Sequence, residues 1–133
     1  MMIICDTQAL VYWMDRPEKL TKTATSYFEQ GITNQTLACA DISLWEIGMI
    51  FNKKRLTLPV GVSIKEYLDT MIKALTLTVL PITPMIAELA QSPEFNHGDP
   101  ADRIIAATAI AHNTTLITAD GKLQQIESLK WIW

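Results

Sequence analysis

His97-Gly-Asp-Pro-Ala-Asp-Arg-Ile-Ile-Ala-Ala-Thr-Ala-Ile-Ala-His-Asn-Thr-Thr-Leu-Ile-Thr-Ala-Asp120 is the part of the chain from which its architecture can be worked out. His97 and Gly98 read as a loop. Asp99 before Pro100 predicts a helix start, because an Asp side chain accepts an unpaired backbone N–H and Pro at the first helical position sacrifices no hydrogen bond. Ile104, Ile105, Ala106, Ala109 and Ile110 then make a nearly all-apolar helix able to lie flat on a sheet. His112-Asn113-Thr114 ends it, and Thr115 to Thr118 reads as a short buried strand running to Asp120. A helix N-terminus and a strand C-terminus thereby bring Asp102 and Asp120 towards one rim.

Outward from that stretch, the totals describe a single globular domain over residues 1–133, with 49% hydrophobic and 19% charged residues. No apolar run approaches the roughly 18 residues of a membrane span, and the start lacks the basic, then apolar, pattern of a signal peptide. Cys5 and Cys39 sit inside apolar runs without zinc-like spacing, as buried free thiols of a cytoplasmic protein would. The net charge of -3 argues only weakly against a nucleic-acid partner. Should four of the fourteen acids gather at one site, the remaining ten face eleven Lys and Arg elsewhere.

Strands and helical segments alternate along the chain. Ile3-Ile4-Cys5 reads as a strand that stops at Asp6-Thr7, with a helix from Ala9 to Met14. Asp15-Arg16-Pro17 makes a turn, and Thr21 to Gln30 a helix closed by Gly31. Thr36 to Ala40 is a buried strand, followed by a helix from about Ser43 to Asn52 and the basic cluster Lys53-Lys54-Arg55. Ser63 opens an amphipathic helix to about Leu75 with Ile64, Tyr67, Leu68, Met71 and Ile72 on one face. Leu77 to Leu80 is a strand, Thr83-Pro84 caps a helix to about Gln91, and Lys130 to Trp133 closes the chain as an edge strand. This alternation predicts an α/β fold with a mainly parallel sheet covered on both faces.

In such a sheet, functional groups collect beyond the carboxyl ends of the strands. Asp6 follows the first strand, Glu46 lies one turn into the helix after the second, and Asp102 and Asp120 flank the fourth. Asp99 stands one turn before Asp102. Four carboxylates at close range repel unless a hard divalent cation joins them, and Mg²⁺ or Mn²⁺ is the usual occupant beside phosphate chemistry. Each acid also has a plain structural reading. Ser43-x-x-Glu46 is a capping box of the same form as Ser63-x-x-Glu66, Asp99 reads first as a helix cap, and Asp120-Gly121 as a turn or cap. Capping alone does not require all four to share an edge.

Ile-Ile-Cys-Asp-Thr at 3–7, Ser-Leu-Trp-Glu-Ile at 43–47, Asp-Pro-Ala-Asp-Arg-Ile-Ile-Ala-Ala-Thr-Ala at 99–109 and Leu-Ile-Thr-Ala-Asp at 116–120 resemble the acidic motifs of PIN-domain ribonucleases. Their order, spacing and total length most resemble the VapC-type toxins of bacterial toxin–antitoxin pairs. The resemblance implies a three-layer α/β/α sandwich and a metal-dependent endoribonuclease leaving 5′-phosphate and 3′-hydroxyl ends. It makes Asp6, Glu46, Asp102 and Asp120 the metal-binding catalytic acids, with Asp99 as an accessory. Thr7, Ser43 and Thr118 fall where the family often keeps a hydroxyl near the metal. Homodimers, and neutralisation by an antitoxin laid across the site, are also implied.

Arg103 reads either as a phosphate contact or as a surface partner of Asp99 or Glu94. Lys53, Lys54 and Arg55 are candidates for the RNA backbone, and equally a solvated helix end where cations suit the dipole. His97 and His112 read as loop and helix-end residues. Trp45, Met49, Phe51 and Met71 read mostly as core, with a partner's groove as the alternative. An aspartyl-nucleophile phosphatase would want a second Asp where Gln8 stands, and a Toprim nuclease an Asp-x-Asp pair that this chain lacks. A PIN-like protein-binding scaffold, or an RNA-processing nuclease outside a toxin pair, are the remaining alternatives.

Overall fold

Side chains on a strand point alternately to its two faces, and here both faces are apolar. The computed structural model describes residues 1–53, 57–95 and 98–133. It contains the strands β1 (Ile3–Cys5), β2 (Leu37–Ala40), β3 (Thr78–Leu80), β4 (Thr115–Ile117) and β5 (Trp131–Ile132). Between them run helices α1 (Thr7–Asp15), α2 (Lys22–Asn34), α3 (Ile42–Asn52), α4 (Ile64–Leu75), α5 (Pro84–Leu89), α6 (Pro100–Ala111) and α7 (Gly121–Gln124), with a 3-10 turn at Pro17–Lys19. The strands form one sheet in the order β3-β2-β1-β4-β5, and every pairing is parallel.

Ile4, Ala38, Ala40 and Leu116 face one core, closed by Ile86 of α5, by Ile105, Ala106 and Ala109 of α6, and by Leu123 of α7. Their neighbours Cys5, Leu37, Cys39 and Ile117 face the other, against Leu10 of α1, Phe28 of α2, Ile47 of α3 and Met71 of α4. The result is the expected three-layer sandwich. Both cysteines are buried free thiols, and burial pushes the Cys39 thiol up to about 12, so neither is a nucleophile at neutral pH. Among the described residues no helix is long and apolar enough to cross a membrane.

Several local readings hold to within a residue or two. Ser63 Oγ accepts the Glu66 N–H at 3.1 Å and Thr83 Oγ1 the Ile86 N–H at 3.2 Å, as their sequence patterns predict. Two readings are corrected. Gly31 does not close α2, which continues to Asn34 and ends with Gln35 in the left-handed region at φ 57°. The glycine is needed instead for close packing, since a Cβ there would stand 2.3 Å from Leu37 Cδ2 on the adjacent strand. Trp45 is not core: it is 61% exposed, whereas Phe51 and Met71 are buried.

Two opposed effects decide what Gly31→Ala does. Overpacking a filled site costs about 1–3 kcal/mol, while Ala improves an interior helical position over Gly by about 1 kcal/mol. Leu37 is fully buried and has little room to turn away. The variant is therefore expected to lose roughly 0.5–2 kcal/mol of unfolding free energy in a urea titration. A gain in stability would show that Leu37 moves aside without cost.

Candidate active site

The chain leaves β1 at the centre of the sheet, with β2 and β3 to one side and β4 and β5 to the other. That arrangement opens a crevice at the carboxyl ends where the strand order reverses. Asp6 stands at its floor, with its N–H bonded to the Ile117 carbonyl at 3.0 Å so that it extends the β1–β4 pairing. The side chain is 5% exposed and accepts the Thr118 hydroxyl at 2.7 Å. Thr118 Oγ1 in turn accepts the Asp120 N–H at 3.0 Å, so one buried hydroxyl links the acids that follow β1 and β4.

Thr7 plays the matching part on the other side. Its hydroxyl lies 2.5 Å from Glu46 Oε1 and 2.9 Å from Ser43 Oγ. A threonine hydroxyl has one proton, and the carboxylate is the stronger acceptor. Thr7 therefore donates to Glu46 and receives the Ser43 hydroxyl. This corrects the capping-box reading of Ser43-x-x-Glu46: α3 starts from Asp41, no side chain caps it, and both residues are turned to Thr7. Asp41 Oδ2 accepts the Ile82 N–H at 3.1 Å instead.

Asp102 lies in the first turn of α6. Carboxylate oxygens of Glu46, Asp99 and Asp102 all lie within 4.8 Å of one another. Asp99 also caps α6, its Oδ1 accepting the Ala101 N–H at 2.9 Å, so cap and cluster member are one residue. Asp120 likewise caps α7 through Oδ1, which accepts from Lys122 N at 2.8 Å and Leu123 N at 3.4 Å. Asp6, Glu46, Asp102 and Asp120 all line one cleft of about 370 Å³. These acids are legible in the sequence; Gln8, Val11 and Tyr12 of α1, Lys19 and Ile50, which line the same cleft, are not among the expected site residues. The signal was available: 7, 8, 11 and 12 form one stripe at helical spacing immediately after Asp6.

Arg103 Nε donates to the Ala90 carbonyl at 2.8 Å, and the Glu94 carboxylate is engaged by the Ser128 N–H at 3.1 Å and by the Ser128 hydroxyl. Lys53 is exposed at the end of α3 and does not line the cleft. Lys54, Arg55 and His97 lie outside the described residues. His112 is the exposed C-cap of α6, as expected.

Burial and crowding together raise these carboxyls. Burial, and then the charges of Asp6, Asp99, Glu46 and Asp120, push the Asp102 carboxyl up to about 8. Asp6 is raised to about 6, mainly by burial, against the Thr118 hydrogen bond that lowers it. Glu46 is raised by burial, against its bond from Thr7. A donor set made wholly of carboxylate oxygens, holding more negative charge than it can keep at neutral pH, suits a hard divalent cation. Residues and group fit.

Because the folded protein holds these protons more tightly than an unfolded carboxyl near 3.9, the stability they confer is complete below about pH 4 and is lost as pH rises through about 6 and about 8. With EDTA present, the melting temperature contributed by this site is expected to fall between pH 5 and 8. Mn²⁺ is expected to restore more of it at pH 8 than at pH 5. A metal-free melting temperature that does not respond to pH over this range, in the protein and in Asp102→Asn alike, would contradict the crowding.

A carboxylate-rimmed cleft at the switch point of an all-parallel α/β/α sandwich defines the class. The PIN domain model matches residues 3–129, and the chain belongs to the PIN-domain family. It is 31% identical over 123 residues to Ribonuclease VapC22 of Mycobacterium tuberculosis, covering 92% of this chain and 89% of that one. Its fold is similar to that of VapBC2 from Rickettsia felis bound to a DNA fragment from their promoter, with a TM-score of 0.73 and 22% identity over 99% of this chain and 98% of that one. FitAcB from Neisseria gonorrhoeae shares the fold at a TM-score of 0.69 and 19% identity, over 99% of this chain and 97% of that one.

Proposed function

We propose that this protein is a metal-dependent endoribonuclease, using Mg²⁺ or Mn²⁺ to hydrolyse RNA phosphodiester bonds as the toxin of a toxin–antitoxin pair. The observation that carries the reading is the gathering of Asp6, Glu46, Asp102 and Asp120 on one cleft, with Asp99 against Glu46 and Asp102. The ribonuclease relative supports the activity. A toxin–antitoxin complex from Klebsiella pneumoniae, similar in fold at a TM-score of 0.65 and 20% identity over 98% of this chain and 96% of that one, motivates a cognate antitoxin as partner, and a homodimer follows from the family resemblance.

In this reading Asp6, Glu46, Asp102 and Asp120 hold the cation, with Asp99 as an additional carboxylate. When bound, the cation supplies charge neutralisation on the phosphate and a more acidic water. The chain's own part is to aim the ligands. Thr118 fixes the Asp6 carboxylate and, through the Asp120 backbone, the start of α7. Thr7 and Ser43 fix Glu46. Hydroxyls that donate to Asp6 and Glu46 favour their ionised forms, which are the forms that bind metal.

Purified protein free of antitoxin is expected to cut mixed cellular RNA with Mn²⁺ or Mg²⁺ and to stop when EDTA is added. Cutting that persists in EDTA would refute metal dependence. Metal binding without cleavage of any RNA in the mixture would move the assignment to a PIN-domain scaffold.

A further inference from the structure

The cleft holds more than acids, and its remaining polar wall is unlike its floor. From the cluster at Thr7, α1 runs outward with Gln8 and Tyr12 one turn apart. One turn is about 5.4 Å, between one and two stacked-nucleotide steps of 3.4 Å. Tyr12 is half-buried, and its ring packs at 6.2 Å from the Trp133 ring, tilted by 50°. The 3-10 turn that begins at Pro17 folds the chain back, so that Lys19 Nζ stands 5.4 Å from the centre of the Tyr12 ring. Lys19 is exposed and is the only cation among the described residues lining the cleft.

We infer that Tyr12 and Lys19 form a nucleotide subsite beside the acid cluster, the Tyr12 ring stacking an RNA base next to the cleaved phosphate and Lys19 binding a flanking phosphate. This rests on the ribonuclease reading above and names residues that reading does not use. The floor of the cleft repels a polyanion, so a substrate strand needs a foothold at its wall. An aromatic face with a lysine above it offers both kinds of contact that single strands use, stacking and charge.

Comparing magnitudes shows why Lys19 does not block the ring. A surface cation–π contact favours its closed form by roughly 2- to 5-fold. Stacking a base on an aromatic side chain is worth roughly 5- to 150-fold in affinity. The arriving strand therefore displaces the ammonium from the ring, and a phosphate of the same strand receives it. Stacking accepts any base, so this subsite supplies affinity and register for an unpaired strand. It does not supply sequence choice.

The test uses a synthetic single-stranded RNA copied from a site that the wild-type protein cuts in mixed RNA. Tyr12→Ala is expected to raise KM by about 10-fold or more while kcat stays within about threefold. Tyr12→Phe, which keeps the ring, is expected to stay near wild type. Lys19→Ala, at an exposed position where substitution costs little stability, is expected to reduce the slope of log affinity against log salt by about 0.7, one phosphate on a single strand. Wild-type KM in Tyr12→Ala together with an unchanged salt slope in Lys19→Ala would overturn the subsite and leave the nuclease standing. A wild-type protein that neither cuts nor binds RNA would overturn the nuclease reading and this inference with it.

Discussion

Asp102→Asn is expected to abolish RNA cleavage while making the metal-free protein more stable. Substituting a group that merely supports a metal ligand typically costs 10- to 100-fold, so removing a carboxylate at the centre of the cluster is expected to cost more than about 100-fold in kcat/KM. Its stability moves the other way. Asp102 is raised to about 8 by burial and four neighbouring acids, so at pH 8 its ionised form works against the fold. Asparagine keeps the shape and removes the charge. In EDTA at pH 8 the variant should melt higher than wild type, and at pH 5, where the wild-type carboxyl is already protonated, the difference should shrink. Differential scanning fluorimetry at the two pH values, beside RNA cleavage in Mn²⁺, reads both arms. Cleavage within a few fold of wild type would remove Asp102 from the site; a lower melting temperature at pH 8 would contradict the charge crowding.

Phe28→Ala carries the largest expected loss of stability. Phe28 is the bulkiest of the fully buried side chains and stacks on Trp13 with ring centroids 4.9 Å apart and an interplanar angle of 12°. Truncating a buried Phe costs about 3–5 kcal/mol, against about 5–15 kcal/mol for the whole stability of a typical domain. Urea unfolding should show that loss, and a melting temperature lower by roughly 10–20 °C should accompany it. The consequence reaches the site, because Trp13 belongs to the last turn of α1, the helix that starts with Thr7 and carries Tyr12. Loosening it frees the wall of the cleft. A loss below about 1 kcal/mol would mean that Trp13 and its neighbours collapse into the space.

Local signals survived folding wherever the deciding partner was a few residues away. Ser63 and Thr83 cap helices because the N–H each accepts is three residues on. Asp99 starts α6 in a similar way, accepting the N–H two residues on. The same Ser-x-x-Glu pattern at 43–46 failed as a cap because Thr7, 36 residues from Ser43 and 39 from Glu46, offered both side chains a better arrangement. Gly31 looked like a helix end because glycine often is one. What placed it inside α2 was Leu37, whose side chain takes up the space a Cβ would fill.

From its sequence alone the chain determined the alternation of strands and helices, and hence a parallel sheet buried on both faces. It also determined which acids follow strands or open helices, since each depends on residues close along the chain. Only the tertiary structure decided that β1 lies between β2 and β4, which sets Asp6 beside Thr118 and Thr7 beside Glu46. It alone put Asp99 within reach of Glu46 and raised the Asp102 carboxyl to about 8. Distances between groups far apart in the chain, and the loss of solvent around them, arise when layers pack, and no local pattern encodes either.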